Sequence, residues 1–462
     1  MGTIKIENVI EVSFGEDPRP KYLVLEGAVR AAVSDGRLPP GTRLPPVREL
    51  AFAVGVTPGT VARVYRALTD AGLLDAAVGR GTFVAKAAPP VRGLAEVEAA
   101  GTVNMRTSQV MDVGQAEQIA AVMAQIGPRP DGYGTYPVRV TDRSTREALS
   151  RWLADTRCQP IAADDMVLTL GAQHGMVVLL QALLHGSRPT VLTEELCYPG
   201  FRHAAALVRA DLRGVAFDAD GPLPDALDRL AGQTGAQVFA TSAEAHNPTT
   251  MRTTEARRRE IVAVCERHGM QIIDDDCFAC VPTGTAYRTL APDRTWVTTS
   301  LSKTISPALR MGMIGPAEGG TDRAVVAMQQ QFFGLPRPQL DLVEALIDTG
   351  TAAAILADVV RLQSARVRRT RAVLAGHDLA ARDDLPFAWL RLPRGWRASS
   401  FLRAAAAEHV LLKAADEFAL VDGQAPNAVR IALNGTLDDR RFEDALATIA
   451  RLLDTPPREV DT

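Results

Sequence analysis

The sequence comprises 462 residues with a formal net charge of −3, and 47% of the residues are hydrophobic while 23% are charged. These values indicate an ordinary soluble protein of two or three domains. The sequence lacks the apolar block of a signal peptide, and no apolar run approaches about 18 residues, so we expect a cytoplasmic protein without a membrane partner.

Positive charge is concentrated near the N-terminus. Residues 37–86 contain seven lysine or arginine side chains against three carboxylates, a net charge of +4, which leaves −7 for the rest of the chain. A basic segment on an acidic remainder is typical of a nucleic-acid-binding module joined to a domain with another role.

The first predicted elements form a helix-turn-helix with a small hairpin behind it. They are helices over Tyr22–Ser34, over Val47–Ala53 and from Thr57 onward, and strands at Leu73–Leu74 and Thr82–Val84. Gly55 is expected to make the turn between the second and third helices. Thr57 is a good N-cap for the third helix, and Pro58 occupies its first position, where proline is tolerated.

This stretch resembles the winged-helix domain of the GntR family. The resemblance runs from Tyr22 to Val84 and is carried by the motifs G-x-R-L-P-P-x-R-E-L-A, G-V-x-x-x-T-V-x-R-x-Y-x-x-L and G-R-G-T-F-V. It implies contacts with double-stranded operator DNA. In the major groove or on its phosphates, these contacts would be made by Arg48, Thr57, Thr60 and Arg63. At the minor groove they would be made by the wing tip, Gly79, Arg80 and Gly81. Arginine suits phosphates and guanine edges, and glycine admits the sugar–phosphate backbone. The alternative is a helical domain whose arginines are only solvated.

Behind a DNA-binding domain at residues 1–86 we expect a linker at 87–109, where small residues and prolines replace helical periodicity. From about residue 110, helices alternate with short apolar strands. The predicted strands are Met166–Leu170, Thr190–Leu192, Gln237–Ala240, Gln271–Ile273 and Thr295–Thr299. Such alternation predicts an α/β fold with a mostly parallel sheet covered by helices, in which ligands bind at the carboxyl ends of the strands.

Lys303 is the residue around which we interpret the larger domain. The chain has five lysines among 51 cationic side chains, and Lys303 is the only one between Lys86 and Lys413. An amine can condense with an aldehyde, whereas a guanidinium stays protonated and is a poor nucleophile. A lysine retained in an arginine-rich chain therefore suggests Schiff-base chemistry with pyridoxal phosphate (PLP). Alternatively, Lys303 is a surface lysine left by chance.

Further candidate residues follow the predicted strands. They are Ala172 and Gln173 at a helix start after Gly171, Tyr198, Asn247, and the pair Ser300 and Arg310 on either side of Lys303. A helix N-terminus and an arginine suit a phosphate, a tyrosine ring can lie on a flat ligand, and an asparagine amide can reach a ring oxygen. For the glycine and tyrosine positions, an ordinary strand–helix junction or turn is the alternative.

Three adjacent carboxylates, Asp274, Asp275 and Asp276, end the predicted strand at Gln271–Ile273. They repel one another, so at least one is expected to have a cationic partner. A pyridinium N–H would serve, because a carboxylate that keeps this nitrogen protonated makes PLP an electron sink. A metal site is the competing interpretation. Only one C-x-x-C occurs among the five cysteines, without a second pair or a histidine cluster, and we expect no metal.

Taken in order, G-A-Q, Y-P-G, H-N-P-T, D-D-D and S-x-S-K with a following arginine resemble the motifs of fold-type I aminotransferases, over roughly Gly134 to Leu453. The resemblance implies a PLP-binding domain at 110–345, with helices on both faces of its sheet, and a smaller α+β domain at 346–462. It implies that Lys303 forms the internal aldimine, Asp275 pairs with the pyridine nitrogen and Asn247 holds the ring 3-oxygen. The implied phosphate ligands and stacking ring are Ala172, Gln173, Ser300, Arg310 and Tyr198.

The same resemblance implies two further roles. Tyr136 resembles the tyrosine that reaches a partner subunit's phosphate, which implies a homodimer, head-to-tail and domain-swapped. Arg430 resembles the arginine that binds a substrate α-carboxylate; an exposed strand arginine is the alternative. The sequence departs from the family at Cys277, where tyrosine is usual, at Phe278, which has no hydroxyl, and at Thr250, where glycine is usual. These departures argue against fast transamination.

A GntR-like winged helix joined to an aminotransferase-like domain is the architecture of MocR-type regulators, which this chain resembles. The leading hypothesis is a PLP-dependent bacterial transcription factor, nucleoid-associated when bound to DNA, that senses a small amine or amino-acid effector by exchange at Lys303 without efficient turnover. The alternative is an active aminotransferase that carries a DNA-binding domain. A third hypothesis, a large domain that only dimerises without cofactor, is disfavoured by Lys303, Asp275, Asn247 and Arg310.

Overall fold

The computed structural model describes residues 4–6, 10–12, 20–35, 37–39, 41–70, 73–77, 81–84, 101–127, 134–156, 159–278, 280, 282–420 and 425–456. The chain divides into two compact units, Met1–Glu98 and Ala99–Thr462. Within the described ranges, every helix is too short or too polar to traverse a bilayer.

The first unit contains the predicted helix-turn-helix. Its helices are α1 (Lys21–Ser34), α2 (Val47–Val54) and α3 (Pro58–Asp70), and its strands are β1 (Ile4–Ile6), β2 (Ile10–Val12), β3 (Leu74–Ala77) and β4 (Gly81–Val84). α2 ends at Gly55, whose φ of 68° lies in the left-handed region that glycine adopts without strain. Thr57 caps α3 as predicted, since its Oγ1 accepts a hydrogen bond from the N–H of Thr60 at 3.2 Å. β3 and β4 pair antiparallel as the predicted hairpin, whereas the antiparallel pair of β1 and β2 is not predicted from the sequence.

One hydrophobic core holds the three helices of this unit together. Its buried members include Leu25, Val29, Leu44, Leu50, Val61, Val64 and Leu68. They recur every three or four residues along α1 and α3, which is why these segments form amphipathic helices. Burying one such side chain stabilises the fold by about 1.5–3 kcal/mol relative to leaving it exposed. The hydroxyl of Tyr65 donates to the carbonyl of Pro45 at 2.8 Å and fixes α3 against the proline-rich segment before α2.

The second unit contains the remaining elements. Its strands are β5 (Val103–Asn104), β6 (Val167–Thr169), β7 (Thr190–Glu194), β8 (Asp211–Val215), β9 (Phe217–Asp218), β10 (Gly221–Pro222), β11 (Val238–Thr241), β12 (Gln271–Asp275), β13 (Thr295–Ser300), β14 (Gly312–Gly315), β15 (Leu379–Ala381), β16 (Phe387–Arg391), β17 (Val410–Leu411), β18 (Lys413–Ala414) and β19 (Ala428–Ala432). Its helices are α4 (Gln115–Gln125), α5 (Arg143–Asp155), α6 (Ala172–Leu183), α7 (Pro199–Leu207), α8 (Pro224–Thr234), α9 (Glu255–Arg267), α10 (Tyr287–Leu290), α11 (Thr321–Phe332), α12 (Arg337–Asp348), α13 (Thr351–Val373), α14 (Ala398–Ala407) and α15 (Asp439–Asp454).

The central sheet of the second unit has seven strands in the order β6-β14-β13-β12-β11-β7-β8. All of them run in one direction except β14, which is antiparallel to both of its neighbours, so the predicted mostly parallel sheet is confirmed. The sequence predicts five of these strands but not β8 or β14. β8 lies at the sheet edge with mostly exposed or half-buried residues, and β14 begins and ends with glycine, a weak strand former.

Helices cover both faces of the central sheet, because neighbouring residues of its strands point to opposite sides. Val191 and Ile273 belong to the core formed with α6, α7 and α11. Leu192 and Ile272, one residue away in each strand, belong to the core formed with α8, α9 and α10. A strand buried on both faces requires a continuous apolar run, which is the pattern that predicts these strands.

The C-terminal part of the unit is built on a four-stranded antiparallel sheet in the order β15-β16-β19-β18. Helices α13, α14 and α15 share a hydrophobic core with it. Asp438 caps α15, since its side chain accepts a hydrogen bond from the N–H of Arg441 at 2.9 Å, and α15 buries Phe442, Leu446 and Ile449 along one face. The expected boundary between residues 345 and 346 falls inside α12.

The structure corrects the predicted extent of the linker. β5 pairs in parallel with β17, and the N–H of Met105 donates to the carbonyl of Leu411 at 2.9 Å. Residues 103–109 therefore belong to the second unit and not to a linker that ends at 109. A strand of two residues shows no periodicity, so the sequence could not indicate it.

Candidate functional site

Lys303 lies in the turn that follows β13, at the carboxyl edge of the central sheet. Its Nζ donates a hydrogen bond of 2.5 Å to the carbonyl of Ser108. Burial, reinforced by the charge of Arg430, lowers the pKa of Lys303 to about 8. A lower pKa increases the fraction of neutral amine near pH 7, so this amine is suited to condense with an aldehyde.

Asp275 is the last residue of β12 and lies close enough to Lys303 for each charge to act on the pKa of the other. The Sγ of Cys277 donates to Asp275 Oδ1 at 2.8 Å. Burial raises the pKa of Asp275 to about 6, although this hydrogen bond and the charge of Lys303 both act to lower it. Burial also raises the pKa of the Cys277 thiol. Cys277 therefore stays a neutral donor to the carboxylate.

The two flanking carboxylates have other partners. The backbone N–H of Gln159 donates to Asp276 at 3.1 Å, and its side-chain Nε2 donates to Asp274 at 2.9 Å. The N–H of Ala243 also donates to Asp274, at 3.1 Å. Strand alternation explains why Asp274 and Asp276 point away from Asp275. The sequence gives no signal for Gln159, which is more than a hundred residues away along the chain. As for the competing metal interpretation, no three His, Cys, Asp or Glu side chains in the described ranges are grouped to hold a metal ion.

Arg310 lies against the junction of β6 and α6. Gly171, at the N-cap of α6, has a φ of 89°, and a Cβ there would lie 2.6 Å from Nη2 of Arg310. The guanidinium of Arg310 donates to the carbonyl of Leu170 at 2.7 Å, and Nε2 of Gln173 donates to the carbonyl of Gly200 at 2.9 Å. The first N–H groups of a helix have no intrahelical partner and attract anions, so this surface suits a phosphate.

Ser300 and Tyr198 border the same site. The Oγ of Ser300 donates to Sγ of Cys277 at 3.9 Å, so it lies on the Asp275 side. Tyr198 is the N-cap of α7, at the end of the loop after β7. Burial raises the pKa of Tyr198 to about 12, with Asp275 acting in the same direction and Arg430 opposing it. Tyr198 as a whole residue is 38% exposed and is thus accessible to a flat ligand, although its hydroxyl is shielded enough for burial to raise the pKa.

Arg430 connects the small sheet to the central sheet. It lies in β19, is 5% exposed, and its Nη1 donates to Oδ1 of Asn247, in the loop after β11, at 2.8 Å. Its Nη2 donates to the carbonyl of Arg106. Burial lowers the pKa of Arg430 to about 10. The guanidinium is therefore buried and oriented, unlike the exposed strand arginine of the alternative interpretation.

The residues at this edge of the sheet fit PLP. The helix N-terminus with Arg310 offers a place for the phosphate, and the carboxylate of Asp275, the amide of Asn247 and the amine of Lys303 offer partners for the ring and the aldehyde. Two buried polar atoms, Ser108 Oγ and Arg430 Nε, have no hydrogen-bond partner among the described residues. Because buried polar atoms are normally paired, these two atoms are available to a ligand bound at this edge of the sheet.

Tyr136 does not join this cluster. It is 74% exposed, and its ring centroid lies 5.0 Å from that of Phe333, which is itself 58% exposed. Tyr136 is therefore largely exposed among the residues that the structure describes, and its predicted role toward a partner subunit stays a prediction.

The departures from the family pattern have visible consequences. Cys277 hydrogen bonds to Asp275, and the Phe278 ring packs edge-on against Phe387 with centroids 5.6 Å apart. Thr250 has a φ of 65°, in the left-handed region that β-branched residues rarely adopt. Thr250 therefore retains the backbone conformation of a glycine position together with the strain that glycine avoids.

Replacing Thr250 with glycine is expected to raise the free energy of unfolding by about 1 kcal/mol, because relief of left-handed strain outweighs the added entropy of the unfolded chain. Denaturant titration followed by circular dichroism measures this change. Thr289→Gly is the control for the backbone effect of glycine: Thr289 is exposed in α10 with an ordinary φ, whereas Thr250 is buried, so the substitution at Thr289 should lower stability by about 0.5–1 kcal/mol. A destabilised Thr250→Gly protein would mean that the threonine side chain contributes more than the strain removes.

In the first unit, the residues predicted to contact DNA lie on α2, on α3 and at its cap. Arg48, Thr57 and Arg63 are exposed and Thr60 is half-buried. The Arg63 guanidinium lies 3.8 Å from the centroid of the Tyr22 ring, and the hydroxyls of Thr57 and Thr60 are 2.9 Å apart. Gly81 begins β4, whereas Gly79 and Arg80 lie outside the described residues.

Comparisons with known families divide the chain in the same way. Residues 21–84 match the family described as "Bacterial regulatory proteins, gntR family", and residues 104–449 match "Aminotransferase class I and II". YdeF of Bacillus subtilis, named as an uncharacterized HTH-type transcriptional regulator, is 24% identical over 96% of both chains. The vitamin B6 salvage pathway transcriptional repressor PtsJ of Salmonella typhimurium is 26% identical over 92% of this chain and 97% of its own. The pyridoxine biosynthesis transcriptional regulator PdxR of Corynebacterium glutamicum is 24% identical over 74% of each chain.

Solved structures resemble the second unit. An archaeal alanine:glyoxylate aminotransferase aligns with a TM-score of 0.67 at 17% identity, over 76% of this chain and 91% of that one. LysN, the α-aminoadipate aminotransferase of Thermus thermophilus complexed with N-(5'-phosphopyridoxyl)-L-leucine, aligns with a TM-score of 0.65 at 20% identity, over 77% and 92% of the two chains. At these identities the likeness shows a shared fold, that of the fold-type I aminotransferases.

Proposed function

Since the chain belongs to the class I and II aminotransferase family and carries an N-terminal GntR-type domain, the arrangement of MocR-type transcriptional regulators, we propose that it is a PLP-binding regulator that senses an amino compound. The observation that carries this proposal is the convergence of Lys303, Asp275 and Arg430 from separate segments on one edge of the sheet. Relatives named as regulators of vitamin B6 salvage and pyridoxine biosynthesis support a link between this architecture and the cofactor.

PLP, when bound, supplies an aldehyde that condenses reversibly with primary amines and a ring that withdraws electrons. In this chain, Lys303 would offer the resident amine and Asp275 a carboxylate for the ring nitrogen. Asn247 would orient the ring, while Ala172, Gln173, Ser300 and Arg310 would hold the phosphate end, and Tyr198 would lie on the ring face. An effector amine would be accepted at the site of Lys303, and the guanidinium of Arg430 would bind its carboxylate.

We further propose that the protein acts as a homodimer, head-to-tail and domain-swapped, in which Tyr136 completes the phosphate site of the partner. The exposed apolar side chains around Tyr136 support this proposal, since Phe333, Val138 and Val140 are 58%, 45% and 83% exposed. Exposed apolar groups that lie together usually mark an interface. Effector binding would shift the dimer between conformations that space the winged helices differently on operator DNA in the bacterial cytoplasm.

The arrangement favours sensing over turnover. Cys277 stands at the position where tyrosine is usual in the family that the chain resembles, Phe278 has no hydroxyl either, and Cys277 donates instead to Asp275. A general acid–base or hydrogen-bonding group at the reacting end typically contributes 10²–10⁴-fold to a proton-transfer step, so its loss predicts slow transamination.

The test combines an effector screen with a product assay. The PLP-loaded protein is mixed with candidate amino compounds and a 2-oxo acid acceptor, and absorbance, DNA affinity and the 2-oxo acid product are followed together. We expect at least one amino compound to change the absorbance and the DNA affinity while less than about one product molecule per chain accumulates in an hour. Many turnovers within minutes would support the alternative, an aminotransferase that carries a DNA-binding domain. A protein that never acquires PLP absorbance would overturn the cofactor assignment.

A further inference from the structure

Arg382, the residue directly after β15, makes four hydrogen bonds with a single guanidinium. Its Nε and Nη2 donate to the two carboxylate oxygens of Asp384, each at 3.0 Å. Its Nη1 donates to the carbonyl of Glu244 at 2.7 Å and to the carbonyl of Thr250 at 3.0 Å. Because the paired contacts with Asp384 fix the plane of the guanidinium, Nη1 is held toward the two carbonyls.

The two carbonyls lie on either side of Asn247, at the ends of what we call the Asn247 loop, residues 244–250. This loop lies between β11 and α9. Glu244 and Thr250 are buried, and within the described ranges Arg382 is the only donor to either carbonyl. A buried carbonyl without a partner is costly, so loss of Arg382 would destabilise both ends of the loop in its present position.

The backbone of Thr250 adds a second reason why this loop needs a restraint. Its φ of 65° lies in the left-handed region, which is strained for a β-branched residue. Strained backbone persists only where the surrounding structure holds it in place. The hydrogen bond from Arg382 to the Thr250 carbonyl is such a restraint, applied at the strained residue itself.

The C-terminal part of the unit therefore holds the Asn247 loop at its centre and at both ends. Arg430 of β19 donates to Oδ1 of Asn247, and Arg382 binds the two ends. A displacement of the ends would carry Asn247 with them, because only three residues separate it from each end.

We propose that Arg382 is a positioning residue for the cofactor site, which keeps Asn247 in place against the PLP ring by binding both ends of its loop. The inference rests on the proposed function, in which PLP binds at this edge of the sheet and Asn247 orients the ring. It adds a residue that the family motifs do not identify. The alternative is that Arg382 only stabilises the fold through its ion pair with Asp384, which predicts no energetic link to Asn247.

Arg252 provides the matched control. Its Nη2 donates to the same carboxylate of Asp384, and its Nε lies 3.7 Å from a carboxylate oxygen of Glu244. The side chains of Arg252 and Arg382 are similarly buried, at 24% and 18% exposure. Among the described residues, however, Arg252 donates to no backbone carbonyl. Arg252→Met and Arg382→Met thus remove the same charge from the same carboxylate, and only Arg382→Met also removes the donor to the loop.

The experiment is a double-mutant cycle on the full-length protein. The dissociation constant of PLP is measured by absorbance titration for the wild type, Arg382→Met, Asn247→Ala and the double variant. We expect Arg382→Met to weaken PLP binding about 10-fold in the wild-type background, because a small displacement of Asn247 removes its contact with the ring. In the Asn247→Ala background the same substitution should change the constant by less than about twofold, since the residue through which Arg382 acts is already absent.

Two further measurements exclude a merely structural role. Arg252→Met should bind PLP within about twofold of the wild type, because its loss leaves the loop carbonyls paired. At saturating PLP, Arg382→Met should also change the circular dichroism of the bound PLP, which depends on how the ring is held, whereas Arg252→Met should leave it unchanged. If Arg382→Met does not fold, Arg382→Lys takes its place in the cycle. Its ammonium keeps the charge beside Asp384 but cannot also bind both carbonyls, so we expect the same pattern with an effect of about threefold.

The outcomes separate this inference from the function on which it rests. Additive effects of the Arg382 and Asn247 substitutions, or equal weakening by Arg382→Met and Arg252→Met, would overturn the positioning role and leave the proposed function intact. If the cycle is non-additive but no amine changes the absorbance of the loaded wild type, the sensing function fails and the positioning role stands. If the wild type takes up no PLP, both fail.

Discussion

A Lys303→Ala protein is expected to lose covalent attachment of PLP. The amine of Lys303 is placed next to Asp275 and has its pKa lowered to about 8, so it is the lysine in this unit that is both positioned and partly deprotonated for the reaction. Borohydride reduction of the loaded wild type should leave about one pyridoxyl label per chain on the peptide that contains Lys303. The variant should carry less than about a tenth of that label, as measured by intact mass and peptide mapping.

Lys413→Met is the matched control for this experiment, since Lys413 is the other lysine beyond residue 86 and its pKa is also lowered to about 8. We expect its label to remain at the wild-type level and to stay on Lys303. Labelling of Lys413 in the wild type, or a full label in Lys303→Ala, would contradict the assignment. In that case a lowered lysine pKa would not be enough to identify the amine that reacts with PLP, and Lys413 would have the role assigned here to Lys303.

The sequence predicts those parts of the fold where a local pattern and the tertiary environment agree. β11 is buried along its whole length and shows a continuous apolar run, Val238–Ala240, while β12 and β13 are buried around the adjacent apolar pairs Ile272–Ile273 and Trp296–Val297. The helix-turn-helix is equally predictable, because Gly55 and the Thr57 cap occupy positions with specific backbone requirements. The edge strand β8 and the glycine-flanked β14 have no such pattern, and they are identified only by their hydrogen-bonded neighbours.

The candidate site divides in a similar way. The family motifs identify Lys303, Asp275 and Asn247, whose roles depend on residue type and order. They do not identify the carbonyl of Ser108 that accepts from Lys303, or Gln159, which binds Asp274 and Asp276. These contacts join segments more than a hundred residues apart and use backbone atoms or an amide that has no preferred spacing, so only the folded chain brings them together.

Replacing Arg63 with alanine is expected to weaken binding to operator DNA by about 10- to 100-fold, as for the loss of one phosphate or guanine contact worth roughly 1–3 kcal/mol. Arg63 is exposed on α3, within the motif that resembles the recognition helix of GntR-family domains. Affinity is measured at several salt concentrations on a DNA fragment selected in vitro with the wild type. A slope of log affinity against log salt that falls by about one indicates a phosphate contact, and an unchanged slope with relaxed sequence preference indicates a base edge.

Two further variants decide whether Arg63 acts on DNA or only on the protein. Arg30→Ala removes the same charge from α1, where Arg30 pairs with Glu26 at 2.9 Å, and should change DNA affinity by less than about twofold. Tyr22→Leu removes the ring on which Arg63 stacks but leaves the guanidinium, and should lower stability by about 0.5–1 kcal/mol. If Tyr22→Leu weakens DNA binding as much as Arg63→Ala does, the stacked pair only positions α3. If it leaves DNA binding intact, the guanidinium can leave the ring and contact DNA directly.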